Sequence, residues 1–162
     1  MSKEGNAVQK VNVILAESTL NITQFNSITS QLHIEVSTVS FPDKEWSDLS
    51  GSVLAMWLLS LNNYIQNNDQ EVILYFMDDD YSIKIERLKT SESFIHLIDS
   101  TNNEVFGGIV DLLYFGEQLL IAANKVIKHF HKQRNIKVIC QLIDLSSSLS
   151  STLHNMKMRN HS

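Results

Sequence analysis

The stretch from Trp46 to Tyr81, WSDLSGSVLAMWLLSLNNYIQNNDQEVILYFMDDDY, limits the folds open to this chain more than any other. It joins one amphipathic helix to one strongly apolar strand and ends at three consecutive aspartates. Leu54, Trp57, Leu58, Leu61 and Ile65 recur at spacings of three and four, which puts them on one helix face. Val53 and Met56 widen that stripe, so a well-buried helix is predicted over 50–67. Ser50-Gly51-Ser52 precedes it, where a serine can accept the free amide hydrogens of the first turn. Glu71–Met77 is almost continuously apolar, the pattern of a central strand covered on both faces. Asp78-Asp79-Asp80 breaks it, because an aspartate side chain bonds the backbone two residues on and favours turns. Tyr81–Glu86 then alternates, which predicts a β-hairpin with one face toward a core.

Ahead of this stretch, Val11–Leu15 reads as a strand, and Thr19–Phe25 and Leu32–Val39 alternate. In the last of these, Leu32, Ile34 and Val36 face inward while His33, Glu35 and Ser37 face outward. Consecutive half-buried strands with short connections predict an antiparallel meander. Phe41-Pro42-Asp43 ends it, since proline cannot donate to a ladder. Behind the hairpin, Ser93–Ile98, with His96 outward, and Glu104–Val110 read as strands around a turn at 100–103. Phe115, Leu119, Ala122, Ala123, Val126, Ile127 and Phe130 form the stripe of a helix that starts near Asp111 or Leu112. It ends in Lys128, His129, His131, Lys132 and Arg134, where positive charge suits the negative helix end. Ile139, Leu142, Ile143, Leu149, Leu153 and Met156 suit a final helix, although 136–141 also reads as a strand.

At 162 residues and 43% apolar content, the chain is long enough for one domain with its own core. Residues 1–9 are expected to form a flexible tail. Residues 11–110 are mainly sheet with the inserted helix 50–67, and 111–157 are the C-terminal helices. The predicted class is α+β, with about six or seven mostly antiparallel strands and about three helices on them. No run of apolar residues is long enough to span a membrane. The opening MSKEGNAVQK lacks the apolar core of a secretory signal, so a cytoplasmic location is expected.

Few residues suggest chemistry. Clustered carboxylates at Asp78-Asp79-Asp80 can bind Mg²⁺ or Ca²⁺ through oxygen, the basis of a metal-dependent hydrolase reading. Against it, neighbours on a strand point apart, and the glycine and final glutamate of a calcium loop are missing. His129 and His131 stand two apart, on different faces of a helix, so they make poor co-ligands. Cys140, the one cysteine, has no nucleophile signature around it and reads as a small apolar residue. No catalytic, cofactor or metal residue is therefore assigned, and the chain is read as a non-enzyme.

Charge is more informative. From Val13 to Ile83 there are ten acidic residues against the single basic Lys44, whereas from Lys125 onward seven basic residues face only Asp144. Such asymmetry steers a charged partner, or else balances within the molecule. The basic end lacks the aromatic platform of a single-strand binder, so direct nucleic-acid binding is not assigned.

The order Phe41-Pro42, Trp46-x-Asp48, a helix carrying Trp57, an apolar strand ending Phe76-Met77-Asp78, and Tyr81-x-Ile83 resembles small bacterial immunity proteins. These are the cytosolic antidotes of contact-dependent and other polymorphic toxin systems. The resemblance covers roughly residues 11–130. It implies a protein that binds a cognate toxin domain, often a nuclease, and blocks its active site. Such proteins are commonly acidic where the toxin is basic; the acidic stretch agrees, and the basic C-terminal helices depart from the pattern. The expected contact residues are Glu35, Glu45, Asp48, Asp78, Asp79 and Asp80, with Trp46 and Tyr81 as aromatic anchors. Two alternatives stay open: the hydrolase built on the aspartate turn, and a module that weakly self-associates through a sheet edge or the last helix.

Overall fold

Strand β3 (Ile28–Val36) is the axis of the first half of the chain. Its alternation turns Ile28, Ser30, Leu32, Ile34 and Val36 into the core, all at or below 3% exposure. A computed structural model, which describes residues 7–88, 92–133 and 135–161, places β3 at the centre of a five-stranded antiparallel sheet. Glu35 pairs with Asn12 of β1 (Val11–Leu15) and with Ser40 of β4 (Val39–Phe41), so these strands flank opposite edges. β2 (Asn21–Ile22) extends the β1 edge, and β5 (Ser47–Asp48) extends the β4 edge.

This arrangement replaces the predicted meander. β1 does not pair with β2; both run along β3, broken by a 3-10 turn at Glu17–Thr19. The strand expected over Thr19–Phe25 shrinks to two residues for a local reason. Thr23 Oγ1 accepts the amide hydrogens of Phe25 and Ser27, which curls the chain and leaves Phe25 81% exposed. His33, expected outward, is buried, with Nε2 3.1 Å from Glu35 Oε1.

The second sheet is a simple meander of β6 (Glu71–Tyr75), β7 (Ser82–Arg87), β8 (Glu92–Ile98) and β9 (Glu104–Asp111). The predicted hairpin is present, with Tyr75 opposite Ser82. The predicted central position of β6 is not: it is the edge strand of the sheet. Leu74 and Phe76 of this segment are buried in the core and Val72 packs against it, while Ile73, Tyr75 and Met77 are exposed. A continuous apolar run here serves an inner face and an open outer face, not two covered ones.

Helix α1 (Ser50–Gln66) packs against both sheets and the other two helices. No serine caps it. Leu49 holds the N-cap position without a side-chain bond, and Ser50 is buried. Its far end is tied instead by Arg87, whose guanidinium donates to the carbonyls of Tyr64 and Asp69 and lies over the Tyr64 ring. Burial pushes the Tyr64 hydroxyl above the usual tyrosine pKa, although its hydrogen bond to Ser93 opposes the shift.

Helix α2 (Leu112–His129) begins at Asp111, whose side chain accepts the Tyr114 amide hydrogen. Helix α3 (Lys137–Asn160) settles the open reading of 136–141 in favour of helix from Lys137. Its serine-rich middle is held by a relay that runs inward from the surface: Gln66 Nε2 donates to Thr152 Oγ1, which donates to the buried Asn62 Oδ1. Of the tail expected at 1–9, residues 1–6 lie outside the described residues. Gln9 is paired: it donates to the Ile109 carbonyl and accepts from the Asp111 amide, joining β9 to the first sheet.

The crossing of α2 and α3 is tight at Gly116, where an added Cβ would lie 2.8 Å from Leu153 Cδ1 and 2.9 Å from Cδ2. Gly116→Val is therefore expected to destabilise the fold by about 1–3 kcal/mol through overpacking. Urea unfolding checks this, and an unchanged midpoint would mean that the helices separate without cost.

Candidate functional site

Asp48 ends β5 and is only 5% exposed, so its carboxyl group needs partners inside the protein. It has three. Oδ1 accepts the Leu49 amide hydrogen at 2.7 Å. Oδ2 accepts from Trp46 Nε1 and from the Met77 amide, each at 3.0 Å. The last bond crosses from the first sheet to the second. Asp48 thus pins the β4–β5 loop to the end of β6, and its expected role as a contact residue gives way to this internal one.

Around this bond the aromatic residues interlock edge to face. Trp46 and Tyr81 have ring centroids 5.0 Å apart, Phe41 and Tyr81 5.6 Å, and Trp57 and Phe76 5.0 Å. Trp57 Nε1 also donates to the Tyr75 carbonyl at 2.8 Å. Trp46 and Tyr81 are half-buried, so each presents one part of its ring to the cluster and another to solvent.

Two acidic turns are brought together by this packing. In the β4–β5 loop, Asp43 Oδ1 accepts the Glu45 amide hydrogen. In the β6–β7 turn, Asp79 Oδ1 accepts from the Asp80 amide and the Asp79 carbonyl accepts from Tyr81. Asp43, Glu45, Asp78, Asp79 and Asp80 are all exposed, with Lys44 the one cation among them. Trp46 and Tyr81 link the two turns into one acidic lip. Glu35 is not part of it. It lies on the face of β3 opposite to Phe41, paired with His33.

The outer face of the second sheet carries a feature not singled out in the sequence. Lys84 Nζ lies 3.3 Å from Glu71 and 3.1 Å from Glu86, and His96 Nδ1 bonds Glu104. His96 Nε2 is 3.3 Å from Glu86 Oε2, an ion-pair contact without hydrogen-bond geometry. The alternation of Tyr81–Glu86 places Lys84 and Glu86 outward, but the matching of β7 to β8 that completes the row is set by the fold. Burial opposes the charge on His96, yet Glu104 and Glu86 outweigh it and hold the pKa above the usual histidine value.

Among the described residues, no three His, Cys, Asp or Glu side chains gather in a way that could hold a metal ion, and the three aspartates of the turn do not converge with others. No helix among them is long and apolar enough to cross a membrane. The chain matches no family model, no curated protein and no solved structure.

Two outcomes follow from this geometry. Asp48→Ala leaves three N–H groups without their acceptor, and a loss of about 2–4 kcal/mol is expected in chemical denaturation. A loss under about 0.5 kcal/mol, the range of a plain surface site, would place Asp48 outside the cluster's support. His96 has a raised pKa in the folded state, so its stabilisation is fully present below its unfolded value of about 6.5 and is lost as pH rises through the folded value. Comparing denaturation midpoints of wild type and His96→Gln across this range should give curves that converge at high pH. Parallel curves would remove His96 from the linkage.

Proposed function

We propose that this chain is a non-enzymatic immunity or antitoxin-type protein that binds the basic surface of a cognate toxin domain, a nuclease being the leading class. The observation that carries the reading is the acidic lip: two carboxylate-rich turns held side by side over a solvent-facing aromatic pair. Its contact residues are Glu45, Asp78, Asp79 and Asp80, with Trp46 and Tyr81 as anchors and Asp43 as an added carboxylate. Asp48 supports the lip from below.

A rigid lip suits this work. Carboxylates on ordered turns speed association with a basic surface and reject like-charged ones. Aromatic rings at the centre supply apolar contact with little rotamer freedom to lose. Occupying the basic nucleic-acid groove of a nuclease blocks its substrate without chemistry by the inhibitor. The reading places the protein in the cytoplasm, where such a toxin acts.

A binding titration against the C-terminal domain of a large secreted protein encoded beside this chain, where one exists, tests the reading. Nanomolar affinity with loss of toxicity is expected, and absence of binding to a well-folded domain overturns it. Within that complex, changing Asp78, Asp79 and Asp80 together to lysine should lower the association rate about 10- to 100-fold and flatten its salt dependence. An unchanged rate in stopped-flow mixing would move the interface off the turn. The runner-up is self-association through the β6 edge, favoured by the exposure of Ile73 and Tyr75. Sedimentation of the isolated protein separates the two.

A further inference from the structure

The open face of the second sheet ends in a groove of about 430 Å³ beside the acidic lip. Its origin is a size mismatch across one row of the ladder. Tyr75, Ser82 and Ile98 stand in register on β6, β7 and β8. The small serine lies between two large side chains, so the row dips at its middle. The next row is filled by Ile73, Lys84 and His96, with Lys84 tied to Glu71 and Glu86. At the other end stand two turns, one contributing Asp80 and the other Asp99.

The floor is apolar and accessible, with Ile73 37% and Tyr75 51% exposed. The rim is anionic, and at Asp99 it is preset. Asp99 Oδ1 takes three hydrogen bonds, from the Thr101 amide at 2.9 Å, the Thr101 hydroxyl at 2.7 Å and the Asn103 amide at 3.0 Å. Oδ2 carries none of them and is left for a ligand. The Thr101 hydroxyl and the Asn103 amide hold the Asp99 carboxyl below the usual aspartate pKa, so it is charged at neutral pH. Lys84, in the next row, is already held between two glutamates.

We propose that this groove is a binding subsite for a cationic side chain, arginine in particular, carried by a partner protein. A long cationic side chain lays its methylenes along Ile73 and Ile98, its planar head on the Tyr75 ring and its N–H groups toward Asp80 and Asp99. Arginine fits better than lysine because a fork of donors engages a carboxylate while its face stacks on an aromatic ring. A small organic anion meets repulsion at both rims, and an aliphatic ligand leaves the carboxylates unmatched. The identity of the partner rests on the immunity reading above; the subsite itself does not.

The test is therefore made without a toxin. An acetylated, amidated peptide of alternating valine and arginine is titrated into ¹⁵N-labelled protein, beside the same peptide with citrulline for arginine. Amide shifts are expected at Ile73, Tyr75, Ser82, Ile98 and Asn102, to weaken with salt, and to be absent with citrulline. Tyr75→Ser, and separately Asp80→Asn with Asp99→Asn, should each weaken the peptide about tenfold or more. Tyr75 and Asp80 are exposed and Asp99 is half-buried, and asparagine keeps an acceptor for the 99–103 turn. No shifts at millimolar peptide, equal shifts with citrulline, or shifts confined to Asp43–Trp46 and Asp78–Asp79 would overturn the subsite. So would shifts at the groove that track protein concentration without peptide, since a second copy would then be the occupant. A failed toxin titration leaves the peptide result untouched, and a failed peptide titration leaves toxin binding to be read at the lip.

Discussion

Three N–H groups from three places in the chain converge on the Asp48 carboxyl group: the Trp46 indole, the Leu49 amide that opens α1 and the Met77 amide past the end of β6. A buried carboxylate costs free energy unless donors match it, so this one acceptor fixes loop, helix and edge strand together. The aromatic cluster then fills the space around the bond, and its T-shaped contacts constrain ring angles as well as distances. A second junction between the sheets is the Gln9 pairing with β9. Helix α1 packs against β3 and β6 and against α2 and α3.

The same constraint shapes the surface. Carboxylates repel one another, and flexible acidic turns would spread apart in water. Here the backbone of each turn is tied by its own aspartate, and the two turns are tied to each other by Trp46, Tyr81 and Asp48. The repulsion is held in place by burial energy from below. A cationic partner then gains attraction without first having to order the turns, which is the condition for fast and selective association. The groove at Tyr75–Ser82–Ile98 continues this surface around the hairpin, since Asp80 belongs to the lip's turn and to the groove's rim.

How far the sequence reveals this differs from element to element. The helices are plain because their stripes repeat over many turns: Leu54 to Ile65 in α1 and Phe115 to Phe130 in α2 stand out against any other period. The hairpin is plain too, since Asp78–Asp80 leaves few alternatives. The position of β6 is not, because an apolar run looks the same whether its outer face is covered or open. The part played by Thr23 in ending β2 is one hydrogen-bonding choice by one side chain, invisible to periodicity. At the site, the acidic turns and both anchors are legible as residue types. Their meeting is not, because it depends on the Asp48–Met77 bond between residues 29 apart in sequence. The His96 row and the groove depend on strand matching in the same way.

The central claim is that Asp48 and the aromatic cluster make one rigid surface of the two acidic turns. Native-state hydrogen exchange of the Met77 and Leu49 amides in the isolated protein tests it most directly. The account predicts slow exchange at both, close to that of the inner strands, and fast exchange at both in Asp48→Ala while the β7–β8 ladder stays protected. Rapid exchange of the Met77 amide in the wild-type protein, at the rate of an ordinary surface turn, would contradict it: the turns would then move independently.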